Sequence, residues 1–241
     1  MALAGVLVIV GVVVTVVVTD EPSPRRPPMA VLCPGPTVDT LGQVDGHDVV
    51  QLIEAAAERA TAGELLFATV RVQEDADTRG ACTGSSHRIR VPRAEIRTSG
   101  TNEAPTDWRA SAEDAALKYL GFPPGNEAAT VDQGTVDIGG PQAGLAIALA
   151  IVDKITPVNL TGGATVGAAG TVDDTGAIGP VSDIALRMAA TRDTGATVFL
   201  VPADDCAKAG AGAPKGLRLV KVATLNEAAE ALLDVSAAPR C

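Results

Sequence analysis

Aromatic side chains are nearly absent from this chain: one Trp, one Tyr and three Phe in 241 residues. Val, Ala, Leu and Ile must therefore fill the interior of a sequence that is 46% hydrophobic, long enough for one good-sized core or for one large and one small domain. Histidine is as scarce. His47 and His87 stand in polar or edge-like surroundings, which leaves no material for a Ser-His-Asp triad. No Cys-x-x-Cys or Cys/His spacing marks a metal site. Gly162-Gly163 is the nearest thing to a phosphate-cradling loop, but no Lys follows it, so neither ATP nor another cofactor is expected. Basic residues are in the minority, 19 Lys and Arg against 29 Asp and Glu. The net charge of -10 repels nucleic acid and otherwise serves solubility.

The apolar run Ala2–Val18 carries no charge. Its length is at the lower limit for a helix that crosses a bilayer. Three readings compete: a transmembrane signal anchor over 1–19, a cleaved signal peptide, and a buried core helix. No basic residue precedes the run and no small-x-small site follows it, which weakens the signal peptide. A Val-rich run has poor helix propensity in water, which weakens the core helix. The anchor is the reading taken here. Arg25 and Arg26 then favour a cytoplasmic C-terminal side. The four cysteines argue for an extracytoplasmic one, because an even count can be used up by disulfides. A Cys206–Cys241 bridge would staple the chain's end to the body, and Cys33 and Cys82 pair by elimination. Four unrelated thiols are the alternative.

Residues 20–28 are Pro-rich and read as a semi-rigid linker. A small α/β segment is expected over 29–106. In it Met29–Leu32 reads as a strand stopped by Pro34-Gly35-Pro36, Asp48–Ala60 has helical spacing, and Leu65–Val72 reads as a strand. Glu74–Ser86 reads as a polar loop, and His87–Pro92 as an edge strand. The second half, 107–241, is more regular. Helices are expected over Asp107–Leu120 and Gln142–Ile155, from Ser182 as N-cap to about Arg192, and from Thr224 to Leu233. Strands are expected over Thr130–Ile138, Ala164–Val172, Ala177–Val181, Thr197–Val201 and Leu217–Val222, with a hairpin at Asp173–Gly176.

Several motifs follow in order: Gly140-Pro141-x-Ala143-Gly144, Leu160-Thr161-Gly162-Gly163, Gly170-Thr171-Val172, Ile178-Gly179-Pro180-Val181 and Val198–Pro202. Over roughly residues 107–235 they resemble the proteolytic domain of the Lon-type serine–lysine peptidases. The likeness is closest to the membrane-anchored, ATPase-free Lon-like proteins of Gram-positive bacteria. Pro34-Gly35-Pro36, Leu41-Gly42 and Val44-Asp45-Gly46 resemble the N-terminal part of those proteins. They usually carry a PDZ domain next; here about fifteen polar residues, Ser85–Ser99, stand in the middle region, too few for one. The resemblance implies an α/β (α+β), Lon proteolytic-domain-like fold, peptide-bond hydrolysis by a Ser–Lys dyad, and self-association into rings.

The residues at the role-bearing positions do not suit that chemistry. The serine position is Gln142, whose amide has no hydroxyl to deprotonate. The lysine position, seven residues past Pro180, is Arg187, which stays protonated at physiological pH and cannot serve as base. The supporting threonine position is Ala169. The degenerate dyad positions Gln142 and Arg187 are expected to hydrogen-bond across a cleft formed with Gly140 and Pro141. They are either a structural relic or a site that grips a peptide or carboxylate. Ser182, Asp183, Lys154 and Thr171 lie near the right segments but read first as helix cap, first-turn acid, solvated helix end and strand residue. The expectation is a membrane-anchored, extracytoplasmic pseudopeptidase with a peptide-binding or regulatory role, alone or beside an active homologous peptidase. An active serine-type endopeptidase of the Lon family is the alternative, and a purely structural envelope protein is a third class.

Overall fold

A computed structural model describes residues 6–9, 12–15, 29–52, 62–74, 82, 87–96, 107–123, 129–131 and 140–241. Near the N-terminus β1 (Val6–Ile9) and β2 (Val12–Thr15) pair antiparallel. The helix expected over 1–19 is therefore not what these residues form, in keeping with the extended preference of β-branched Val. The rest of that run and the Pro-rich linker lie outside the described residues. Among the described residues no helix is long and apolar enough to cross a membrane.

The body is a mixed α/β structure around one six-stranded sheet. Its elements run β3 (Met29–Asp39), β4 (Gln43–Val44), β5 (His47–Asp48), β6 (Val50–Leu52), β7 (Glu64–Glu74), β8 (Ile89–Pro92), α1 (Trp108–Tyr119), β9 (Ala129–Val131) and α2 (Gly144–Ile155). They continue with β10 (Thr165–Ala168), β11 (Thr171–Val172), β12 (Ile178–Gly179), α3 (Ile184–Asp193), β13 (Val198–Pro202), α4 (Cys206–Ala211), β14 (Arg218–Val222) and α5 (Leu225–Leu233). The order in the large sheet is β14-β13-β10-β7-β3-β8. Strands β14, β13, β10 and β7 are parallel, while β3 and β8 add antiparallel at one side. The sheet thus draws strands from both sides of residue 106.

Sequence accounts for the central layer. Strand β13, VFLVP, is buried throughout, the signature of a parallel strand covered on both faces. Helix α2 is buried from Gly144 to Asp153, so its apolar surface runs all round as its sequence requires. Helices α1, α2 and α5 pack on one another, while α3 packs on α4 and against β3 and β7. Asp107 caps α1 by accepting from the Ala110 N–H, and Thr224 caps α5 by accepting from the Glu227 N–H.

Four expectations are corrected. Strand β3 continues through Pro34-Gly35-Pro36 to Asp39, because the register against β7 shifts between Pro34 and Thr37 and the bulge absorbs the prolines. The helical spacing from Asp48 is overridden where β6 pairs with β9 and buries Val49 and Val50; residues 53–61 lie outside the description. The strand expected over Ala164–Val172 is broken between Ala168 and Thr171, and the second half turns away to pair with β12. The cap of α3 is Asp183 in the left-handed conformation at φ 55°, with no side-chain capping bond, instead of Ser182. The hairpin at Asp173–Gly176 does form: one Asp173 oxygen accepts from the Thr175 and Ala177 N–H groups and from the Thr175 hydroxyl. Both disulfides, Cys33–Cys82 and Cys206–Cys241, are present.

Candidate functional site: a buried guanidinium at the start of a helix

The loop that leads into α2 is shaped by its glycines. Gly140 has φ 78°, a conformation that side chains strain to adopt, and Pro141 follows at the start of a short 3-10 turn, Pro141–Ala143. At Gly144 a Cβ would stand 3.1 Å from the Val172 backbone nitrogen, so α2 begins in close contact with β11. Two backbone bonds lock this junction. Gly170 N–H donates to the Gln142 carbonyl at 3.0 Å, and Leu145 N–H donates to the Gly170 carbonyl at 3.0 Å. Ala169, fully buried, therefore sits one residue from the chain that grips Gln142.

Arg187 reaches this junction from α3 and is only 5% exposed. Its Nη2 donates to Gln142 Oε1 at 2.6 Å, and its Nε donates to the Ser182 carbonyl at 3.1 Å. Its Nη1 donates to the Ala68 carbonyl. The β7–β10 ladder ends at Leu66 and Gly167, so Ala68 lies two residues past the last pairing, and the guanidinium fills the place a neighbouring strand would take. The Phe67 ring lies beneath it, 5.1 Å from Cζ to centroid. Gln142 Nε2 in turn donates to Ser182 Oγ at 3.1 Å.

All three oxygens that accept from Arg187 are uncharged. Burial pulls its pKa down to about 10, opposed by the nearby Asp183 carboxylate, so it remains a cation at neutral pH. It stands close to the first turn of α2, which carries no acidic residue and is the positive pole of the helix. A buried cation at the positive end of a helix makes this corner attractive to an anionic or strongly accepting group.

The expected cleft residues Gly140, Pro141, Gln142 and Arg187 are thus brought together, and Ser182 joins them. The other candidates are placed elsewhere. Lys154 is at the far end of α2, roughly 15 Å along the helix from Gly144; it donates to the Val50 carbonyl at 2.7 Å and lies 4.0 Å from Asp48. Thr171 faces Gly179, where a Cβ would collide with its hydroxyl. His47 lies exposed on β5, and His87 is exposed ahead of β8. Sequence reasoning missed Phe67 and Ala68, and no local signal could have pointed to them, because Ala68 is 119 residues from Arg187.

Chemically, the site offers an amide, a hydroxyl and a protonated guanidinium. Neither Gln142 nor Arg187 can take the Ser182 proton near neutral pH. The arrangement can donate hydrogen bonds to a carboxylate or carbonyl oxygen. Among the described residues no group of three His, Cys, Asp or Glu side chains could hold a metal ion. No family model matches the chain, and no curated protein matches it either.

Proposed function

We propose that this chain is a Lon-protease-like pseudopeptidase that binds polypeptide in the Gln142 cleft without cutting it. The observation that carries the reading is the 2.6 Å bond from Arg187 Nη2 to Gln142 Oε1. It joins the two positions where the motif resemblance calls for a serine and a lysine, and neither residue can perform the reaction. The Lon proteolytic-domain-like fold and a tendency to self-associate belong to the same reading and rest on the same motifs. The occupant that suits the site is a peptide presenting a carboxylate, drawn by the buried guanidinium and by the start of α2. An active homologous peptidase is the partner that a regulatory role implies.

Placement outside the cytoplasm is supported by the two disulfides, which persist in oxidising compartments. Attachment to a membrane rests on the composition of Ala2–Val18 alone. The alternative, an active serine-type endopeptidase, would need a base for Ser182. The one amine among the candidate residues, Lys154, is held at the opposite end of α2 by the Val50 carbonyl.

Binding of a fluorescently labelled unfolded polypeptide tests the proposal. Gln142→Glu places a carboxylate on Arg187 from within and leaves the fold's contacts in place. The full chain is expected to bind and the variant to lose at least tenfold in affinity. Equal binding by the two would remove the cleft from the interaction, and no binding by either would reject the binding role.

A further inference from the structure

We infer that residues 234–241 form a redox-released strap across the outer edge of β14. After α5 the chain turns at Asp234, whose carboxylate accepts from the N–H groups of Ser236 and Ala237. It then crosses the edge of the sheet. Lys221 N–H on β14 donates to the Pro239 carbonyl at 2.9 Å, and Val220 bridges Arg240. Arg218 Nη2 donates to the carbonyls of Ser236 and Ala238 at 3.1 and 3.2 Å. Cys241 is then bonded to Cys206 at the start of α4.

Besides that covalent bond, the segment is held by these few hydrogen bonds and by Val235 and Ala238 against the core. Of its eight residues only Ala238 is buried, at 9% exposure. Beside its end opens a surface pocket of about 270 Å³, lined by Gly210, Ala213, Leu217, Arg218, Leu219, Arg240 and Cys241. The bond is also open to attack. Cys241 is exposed and Cys206 half-buried, whereas in the other bridge Cys82 is half-buried and Cys33 is 1% exposed, so only the Cys206–Cys241 bond has an exposed half. Access of the attacking thiolate sets the rate of exchange, so the Cys206–Cys241 bond is the one that opens first.

The step balances with a dithiol as reductant. Its thiolate attacks one sulfur and forms a mixed disulfide, releasing the other cysteine as a thiolate that takes a proton. The second thiol of the reductant then closes on the first, frees the remaining cysteine and leaves as a cyclic disulfide, two electrons having passed to the protein. With the bond open, the strap lifts and Lys221 N–H loses its partner. The edge of β14 becomes an unpaired strand edge.

The test is graded reduction of the folded full chain with dithiothreitol, read by alkylation and mass spectrometry, with amide exchange measured on the same samples. Cys206 and Cys241 should alkylate at lower reductant than Cys33 and Cys82. In that window the Lys221 amide should exchange at least tenfold faster, with Leu200 and Val201 of β13 unchanged. Cys241→Ser should show the fast Lys221 exchange without reductant. Opening of Cys33–Cys82 first, unchanged Lys221 exchange after Cys206–Cys241 opens, or global loss of protection in Cys241→Ser would each overturn the strap.

Discussion

The two ends of helix α2 both carry polar side chains, and they solve opposite electrostatic problems. At the C-terminal end Lys154 complements the negative pole of the helix and reaches a backbone carbonyl and Asp48, while the buried Asp153 accepts from the Leu160 N–H at 2.6 Å. Those partners serve the fold locally. At the N-terminal end a cation, Arg187, sits near the positive pole, held by one oxygen each from β7, the loop before α3 and Gln142. A fold needs no such arrangement for its own sake; a core of apolar residues would be at least as stable. The difference teaches that the N-terminal end holds a buried cation on uncharged oxygens beyond what the fold requires, whereas the C-terminal end is a structural finish.

Substitutions at the two ends can break this comparison. Arg187→Met leaves the carbonyls of Ala68 and Ser182 and the Gln142 amide without their donor, and should lower the free energy of unfolding by about 3 kcal/mol in urea titrations. Gln142→Leu deprives a buried guanidinium of one acceptor and should cost about 2 kcal/mol, with Gln142→Glu restoring or exceeding the original stability. Lys154→Met should cost less, about 1 kcal/mol, because one carbonyl, that of Val50, loses its donor while the ion pair with Asp48 is partly solvated and long. If Lys154→Met proved the costlier of the end substitutions, the contrast would be reversed.

A smaller, pH-dependent effect belongs to the turn between β11 and β12. The Thr175 hydroxyl, with the N–H groups of Ala177 and Thr175, holds the Asp173 carboxyl below the ordinary carboxylate range. Its folded pKa is lower than its unfolded one. The stability it adds is therefore present above about pH 4 and is lost as pH falls through the folded value. Thermal melts of Asp173→Asn should run parallel to those of the unaltered protein above pH 5 and converge with them in acid.

What the sequence made legible is what short-range chemistry decides. Asp107 and Thr224 cap their helices as their positions imply, and the all-round apolar pattern of α2 marks a buried helix. The Asp173–Gly176 turn is likewise local. The misreadings are places where distant pairing prevails. Val49 and Val50 fit a helix by spacing but are taken up beside β9, and the prolines of β3 are carried by a bulge against β7. In the site, the partnership of Gln142 and Arg187 could be anticipated because motif spacing placed both. Phe67 and Ala68 could not, since their role follows from where the β7–β10 ladder ends. Ser182 was placed in the neighbourhood but given the wrong task, because Asp183 takes the cap in a left-handed conformation and leaves the Ser182 hydroxyl to the Gln142 amide.

The most direct test of the central claim is hydrolysis of an unfolded protein substrate by the full chain, beside a triple variant carrying Gln142→Ser, Ala169→Thr and Arg187→Lys. The account predicts no cleavage by the unaltered chain and measurable cleavage by the variant, as the proposed reading of a peptidase frame with only its reacting groups replaced requires. Cleavage by the unaltered chain would contradict it and turn attention to Ser182.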